Sequence, residues 1–235
     1  MNVFDVEIIH FLNQFSNCSH LFDVGVQFLA HNNLLKGGVL VAVMWGAWFK
    51  SNDHYSDNRK YIIATLISCL AAITLGRGLQ LILPFRLRPL HEEGLNFILP
   101  YGSSPESLTG WSSFPSDHAV LFFCLSTGLL FLSKRTAIFA LLYTAIVISF
   151  PRMYLGLHYP TDIIAGAILG MIVALVGNIY LVKNESFHLI TDWLISKPRL
   201  FYPWLFLLTY QIATLFDDSR AIVLMWHKLL LMILS

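Results

Sequence analysis

Charge is what this 235-residue chain has least of: 12% of its residues are Asp, Glu, Lys or Arg, against 56% that are hydrophobic. A soluble domain carries about a quarter charged residues, so with a mean hydropathy of +0.65 a water-soluble globule is excluded and an integral membrane protein is implied. The net charge is +1, and no Lys/Arg run is long enough to track a nucleic-acid backbone, which sets nucleic acid aside as a partner. Cysteine is scarce too. Cys18, Cys69 and Cys124 are odd in number and scattered, the last two inside apolar runs where thiols act as small core residues. They specify neither a disulfide framework nor a metal site. No basic segment precedes the first apolar residues of Met-Asn-Val-Phe-Asp and no Ala-x-Ala step follows, so no removable leader is expected. No repeat, low-complexity tract or Gly/Ser linker divides the chain, which predicts one membrane domain over 1–235.

Apolar segments are what the chain has in abundance. Those approaching the roughly 17–25 residues of a span lie at about 35–50, 60–84, 115–132, 135–151, 162–182 and 200–216. The expected fold is therefore all-α, a polytopic membrane helix bundle of about six transmembrane helices, the first and last of them short. Upstream, Phe4, Ile8, Phe11, Leu12 and Phe15 recur at helical spacing, with Asp5, Glu7, His10 and Asn13 between them. That is the pattern of one or two helices lying in the interface over 3–30, polar face to water. The stretch 221–235 is apolar but carries His227 and Lys228, and reads equally as a partial span or an interfacial helix. Nothing in the sequence sets an oligomeric state.

Loop charges orient the bundle, because Lys and Arg collect on the cytoplasmic side. Lys50, Arg59 and Lys60 fall between the first two spans, Lys134 and Arg135 between the third and fourth, and Lys183, Lys197 and Arg199 between the fifth and sixth. The opposite loops, 85–114 and 152–161, hold only Arg86, Arg88 and Arg152 as permanent cations. Those loops are expected on the extracytoplasmic face of the plasma (inner) membrane.

The same loops carry the chemistry-bearing residues. Pro115 stands where the third span begins, and proline in a first helical turn loses no hydrogen bond. The amides of Ser116, Asp117 and His118 are then expected to point at an anion, with the Ser116 hydroxyl as a further donor and the helix dipole in support. Pro-Ser-Asp is also the composition of a plain helix cap, and His118 alone reads as an interfacial histidine. Pro160 starts the fifth span in the same way, placing Asp162 in its first turn and His158 four residues earlier, within reach for the carboxylate to hold one imidazole nitrogen and leave the other free. A capping Asp beside an interfacial His is the plainer reading of that pair. Arg88 and Arg152 are forks suited to phosphate oxygens, or, singly, cations snorkelling to the headgroups. His91, Glu92 and Glu93 read as a solvated run, Gly166, Gly170 and Gly177 as close helix packing, and no spacing suggests a metal cage or a cofactor.

Arg88-Pro89, Pro115-Ser116-Asp117-His118 and Arg152…His158…Asp162, in this order, resemble the signature of the type 2 phosphatidic acid phosphatase superfamily: Lys-x6-Arg-Pro, Pro-Ser-Gly-His and Ser-Arg-x5-His-x3-Asp. The resemblance spans a catalytic core of about 60–182. It implies a phosphatase without metal or cofactor, in which His158 is the nucleophile that becomes a phosphohistidine, Asp162 its partner, and His118 the acid that protonates the leaving oxygen and then activates water. Arg88, Arg152 and Ser116 would hold the phosphoryl group. The partner it implies is a membrane lipid, and an extracytoplasmic site favours a polyprenyl (undecaprenyl) diphosphate. Phosphatidic acid, phosphatidylglycerol phosphate and lipid A phosphates are the alternatives, as are transfer of the phosphoryl group to another lipid and a non-catalytic lipid-binding or transport protein of the same fold.

Three positions depart from the signature. Leu81 occupies the lysine position, and Arg77, one helical turn below on the same stripe, is the candidate replacement, with a structural pairing or reliance on Arg86 as the other readings. Asp117 replaces Gly and Pro151 replaces Ser; Ser149 or backbone amides are candidates to supply the missing hydroxyl.

Overall fold

The computed structural model describes residues 2–50 and 55–234, and among them every regular element is helical. Most of the connection after the first span, 51–54, lies outside the described residues, as do the side chains of His227 and Lys228.

Two short helices, α1 (Val3–Asn13) and α2 (His20–His31), precede the bundle. Each is capped by a side chain that accepts from the first turn, Asn2 on the Asp5 amide and Ser19 on the Phe22 amide. Phe4, Phe11, Phe15, Phe22 and Phe28 are exposed. The polar residues of α1 do not all face water as its periodicity implies: Glu7 and His10 are exposed, but Asp5 is fully buried and Asn13 nearly so. Asn13 accepts from the Ile98 amide at 2.8 Å and donates to the Ile98 carbonyl at 2.7 Å, tying the helix to the long loop above the bundle.

Three helical runs are long and apolar enough to cross a bilayer, Asn58–Ile82, Lys134–Tyr154 and Pro160–Val182. Leu34–Trp48 and Asp117–Phe131 are apolar but shorter, the latter spanning about 22 Å against a hydrocarbon core of about 30 Å. The sixth expected span is α10 (Pro198–Ala213), which is short, holds Pro203 within it and exposes Leu200, Trp204, Phe206 and Leu207. α11 (Asp217–Leu234) follows as a single helix. Six segments are thus helical where hydropathy placed them, and among the described residues three meet the length of a full crossing. The chain is a multi-pass membrane protein.

The core forms where α5 (Asp117–Gly128) packs between α4 (Tyr55–Ile82) and α8 (Pro160–Val182). Val120, Leu121, Phe122, Cys124 and Leu125 are fully buried there. Glycine on α8 allows this closeness: a Cβ on Gly166 would stand 2.7 Å from the Ser116 carbonyl oxygen, and one on Gly170 would overlap the Val120 carbonyl. Cys69 and Cys124 are buried free thiols, as their apolar settings imply. The opposite face of α8 exposes Ile164, Ile168, Ile172, Leu175 and Ile179, a stripe suited to lipid.

One irregularity positions a site residue. Between α6 (Lys134–Tyr143) and α7 (Phe150–Tyr154) the run is widened by a π turn, Thr144–Ser149, just before Pro151. A proline within a helix removes a donor and crowds the preceding turn, and a π turn absorbs both. Arg152 follows at once, in the last turn of the run.

Candidate active site

A cavity of about 840 Å³ opens at the end of the bundle where α5 and α8 begin, and Arg77, Arg88, Asp117, His118, Arg152 and His158 line it. Residues far apart in sequence meet there because α5 and α8 start at the same level and the loop 83–116 folds over them. The loop is held by its own backbone: Ser113 N donates to the Arg86 carbonyl at 3.0 Å, and Leu90 N to the Gly156 carbonyl at 3.0 Å.

His158 is buried just ahead of α8. Its Nδ1 lies 2.8 Å from the Ser113 carbonyl oxygen, which accepts only from a protonated nitrogen, so Nδ1 carries the hydrogen and Nε2 the lone pair. Nε2 faces Arg88 Nη1 at 3.3 Å. Asp162, the expected hold on this nitrogen, stands at ion-pair distance, its Oδ2 3.7 Å from Nδ1, while the Ser113 carbonyl is the nearer, hydrogen-bonded partner. Asp162 is held elsewhere, Oδ2 accepting from the Tyr159 amide at 2.8 Å and Oδ1 from Arg86 at 2.6 Å. Burial pulls the His158 pKa below the ordinary histidine value, while the Asp162 carboxylate pushes the other way and Arg88 reinforces the fall. The imidazole is therefore neutral, as a nucleophile must be.

Arg88 donates to the Leu157 carbonyl and, at 3.2 Å, to that of Ser112, while its buried Nε has no partner among the described residues. Burial pushes its pKa down to about 10, so it remains a cation at neutral pH. Across the cavity, Arg152 Nη2 lies 2.6 Å from His118 Nε2 and donates to the Ala30 carbonyl of α2 at 2.9 Å; its Nε too is buried without a partner. Two guanidinium groups thus flank two imidazoles on the cavity wall, a set of fixed cations and planar forks whose chemistry suits a tetrahedral oxyanion.

The start of α5 departs from the expected phosphate cradle. Ser116 is the N-cap and Pro115 precedes it, with the Phe114–Pro115 bond cis, so the helix begins at Asp117. The Ser116 amide is not free for an anion, because it donates to the Asp162 carbonyl at 3.2 Å. Its hydroxyl is fully buried, without a hydrogen-bond partner, behind the cavity wall. The amides of the first turn, from Asp117 onward, are the ones an α-helix leaves without internal acceptors.

Arg77 reaches the cavity wall, but in company. Its Nη2 pairs with Asp117 Oδ2 at 2.5 Å, its Nη1 donates to Gln80, and it lies over the Trp111 ring at 5.3 Å. The candidate replacement for the lysine and the aspartate in place of glycine thus form one ion pair. Leu81, one turn further on, is 87% exposed and does not line the cavity. Arg86 is also committed, to Asp5 at 2.6 Å, to Asp162 and to Thr161, with its guanidinium 4.2 Å above the Tyr159 ring. Ser149 is buried and outside the cavity lining, and His91, Glu92 and Glu93 lie outside it as well. Among the described residues no three His, Cys, Asp or Glu side chains gather as a metal would require.

Sequence reasoning missed four residues. Asp5 accepts from Arg86, from the Thr161 amide at 2.9 Å and from the Thr161 hydroxyl at 2.6 Å, so a helix outside the signature braces the carboxylate beside His158. Ser113 orients His158 through its carbonyl, for which no side-chain signal exists. Lys36 and Arg220 line the cavity from its far side; a lysine inside an apolar run was the available clue.

The PAP2 superfamily model matches residues 60–186. A lipid A 1-diphosphate synthase of Escherichia coli is 28% identical over 73% of this chain and 73% of its own length. A lipid A 4'-phosphatase of Bacteroides thetaiotaomicron is 36% identical over 51% of this chain, and an undecaprenyl-diphosphatase of Sulfolobus acidocaldarius 32% identical over 49%, each across 53% of the relative. The crystal structure of LpxE from Aquifex aeolicus aligns over 75% of this chain and 98% of that one, with a TM-score of 0.49 and 22% identity. With a family match over more than half of its residues, the chain belongs to the PAP2 superfamily and is a membrane phosphatase of that superfamily.

Proposed function

We propose that the protein hydrolyses a lipid phosphate, with a polyprenyl diphosphate as its leading substrate, through a phosphohistidine on His158. The observation that carries this reading is the tautomer of His158, whose Nδ1–H is spent on the Ser113 carbonyl and whose Nε2 faces the cavity beside Arg88. Arg88 and Arg152 take the phosphoryl oxygens, and the substrate draws Arg152 away from His118. Nε2 attacks phosphorus and the P–O bond to the lipid breaks, its electron pair leaving on an oxygen that takes the proton of protonated His118. Asp162 stabilises the positive charge that develops on His158. Water then attacks phosphorus as His118 accepts one of its protons, the P–N pair returns to His158, and orthophosphate leaves. Arg77 completes the phosphate environment with the donors that Asp117 and Gln80 leave free, while Ser116, whose hydroxyl lies behind the cavity wall, serves by setting the start of α5.

The loop charges support a site on the extracytoplasmic face of the plasma membrane, where lipid diphosphates are left after their sugars are transferred. A cysteine introduced at Ser107 should react with an impermeant thiol reagent in intact cells; protection there would move the site to the cytoplasm. The similarity to a lipid A 1-diphosphate synthase favours a second reading, in which the phosphoryl group passes to another lipid instead of water. Purified protein in chelator, offered a panel of lipid phosphates, is expected to release orthophosphate, and His158→Ala to fall to background while remaining folded. Phosphate release by that variant at the wild-type rate removes His158 from the chemistry, and label appearing only in a second lipid selects transfer.

A further inference from the structure

Lys36 has no task in the reaction so far described. It lies in the first turn of the segment Leu34–Trp48, 5% exposed, on the wall of the same cavity as His118 and Arg152. Among the described residues its ammonium meets no hydrogen-bond acceptor and no carboxylate within ion-pair distance; the charges acting on it are those of Arg152, Asp217 and Arg220. Burying an ammonium without a close partner costs several kcal/mol, and a lysine within a span is by default a functional group.

The fold holds it there. A Cβ on Gly37 would overlap the backbone of Ala213, so the π turn Leu34–Gly38 is docked on the end of α10. The chain then turns through Leu215 and Phe216, both left-handed at φ 53° and 59°, into α11. Arg220, in the first turn of α11, donates to the Leu215 carbonyl at 3.1 Å and pairs with Asp217. Two cations thus border the cavity from segments outside the matched residues 60–186.

We propose that Lys36, assisted by Arg220, binds the leaving phosphate of a lipid diphosphate and makes the cavity selective for diphosphates over phosphomonoesters. This rests on the phosphatase reading above. When a phosphomonoester is cleaved the departing group is an alcohol, which needs only the proton from His118. When a diphosphate is cleaved, the bridging oxygen takes the electron pair and that proton, and the departing lipid monophosphate still carries negative charge, which fixed cations stabilise as the bond breaks. Arg220 is already half-neutralised by Asp217, so Lys36 supplies the larger part.

The test compares kcat/KM of the full-length protein in detergent for a polyprenyl diphosphate and for the matching polyprenyl monophosphate. Lys36→Met, which keeps length without charge, should lower the diphosphate-to-monophosphate ratio at least about tenfold; Lys36→Arg should restore most of it, and Arg220→Gln should lower it less. Inorganic pyrophosphate should also lose potency as an inhibitor of Lys36→Met relative to orthophosphate. Equal losses on both substrates, or no loss with the variant folded, overturns the assignment while leaving the phosphatase reading intact. A wild-type protein that releases phosphate from neither substrate, and transfers it nowhere, overturns both.

Discussion

The middle of the chain and its flanks build the same cavity by different means. Between 60 and 186, His118, Arg152, His158 and Asp162 are placed by helix starts and by backbone contacts such as Gly166 against Ser116, where no side chain stands between the helices. The flanks contribute single charges over long sequence separations: Asp5 to Arg86 from α1, Lys36 from the first turn of its span, Arg220 from α11. The difference teaches what each kind of change disturbs. A shifted helix start would displace all of these groups together, whereas a changed flank residue removes a single charge, from beneath the site at Asp5 or from the cavity wall at Lys36 and Arg220.

Breaking the brace between flank and middle should have the largest effect. Asp5→Ala strips a buried carboxylate from Arg86 and Thr161; discounted for the partial exposure of Arg86, the loss of stability should be about 2–3 kcal/mol, read as a lower midpoint of unfolding. Because Asp162 then loses its fixed guanidinium, kcat should fall about tenfold with KM little changed. A variant with wild-type turnover and midpoint would show that α1 is not coupled to the site.

The Arg77–Asp117 pair sharpens the comparison within the middle region. Arg77→Ala should lower kcat/KM about tenfold, a single lost charged contact of about 1.4 kcal/mol. Adding Asp117→Gly to the same chain removes the orphaned carboxylate and should recover stability but not rate. Recovery of the rate would reduce Arg77 to a counterion of Asp117.

The smallest effect concerns pH. In the proposed reaction His158 attacks as the neutral base, and burial lowers its pKa below the ordinary histidine value of 6.5, so the acid limb of kcat/KM should lie below that value. Asp162 is the carboxylate that raises it; Asp162→Asn should therefore move the limb further toward acid, alongside a lower plateau. A limb moving toward neutral pH in that variant would contradict the sign of the Asp162 interaction.

Much of this was legible in the chain. Hydropathy located the helical segments, Pro160 marked the start of α8, and the order of Arg88, His118, Arg152 and His158 identified the superfamily, because each is a property of neighbouring residues or of residue identity. The face that α1 turns to the protein was not legible. Its periodicity separates polar from apolar residues, but whether Asp5 meets water or Arg86 depends on an 81-residue closure that local pattern does not encode. The same holds for the partner of His158 Nδ1, a backbone carbonyl whose identity leaves no trace in residue type, and for the Ser116 amide, taken by Asp162 because Gly166 lets two helix starts touch. Sequence determined which groups are present and which segments are helical, since both follow from local chemistry; the tertiary structure decided which nitrogen is free, which charge is braced and which, as at Lys36, is left facing the cavity, since these are set by packing between segments far apart in the chain.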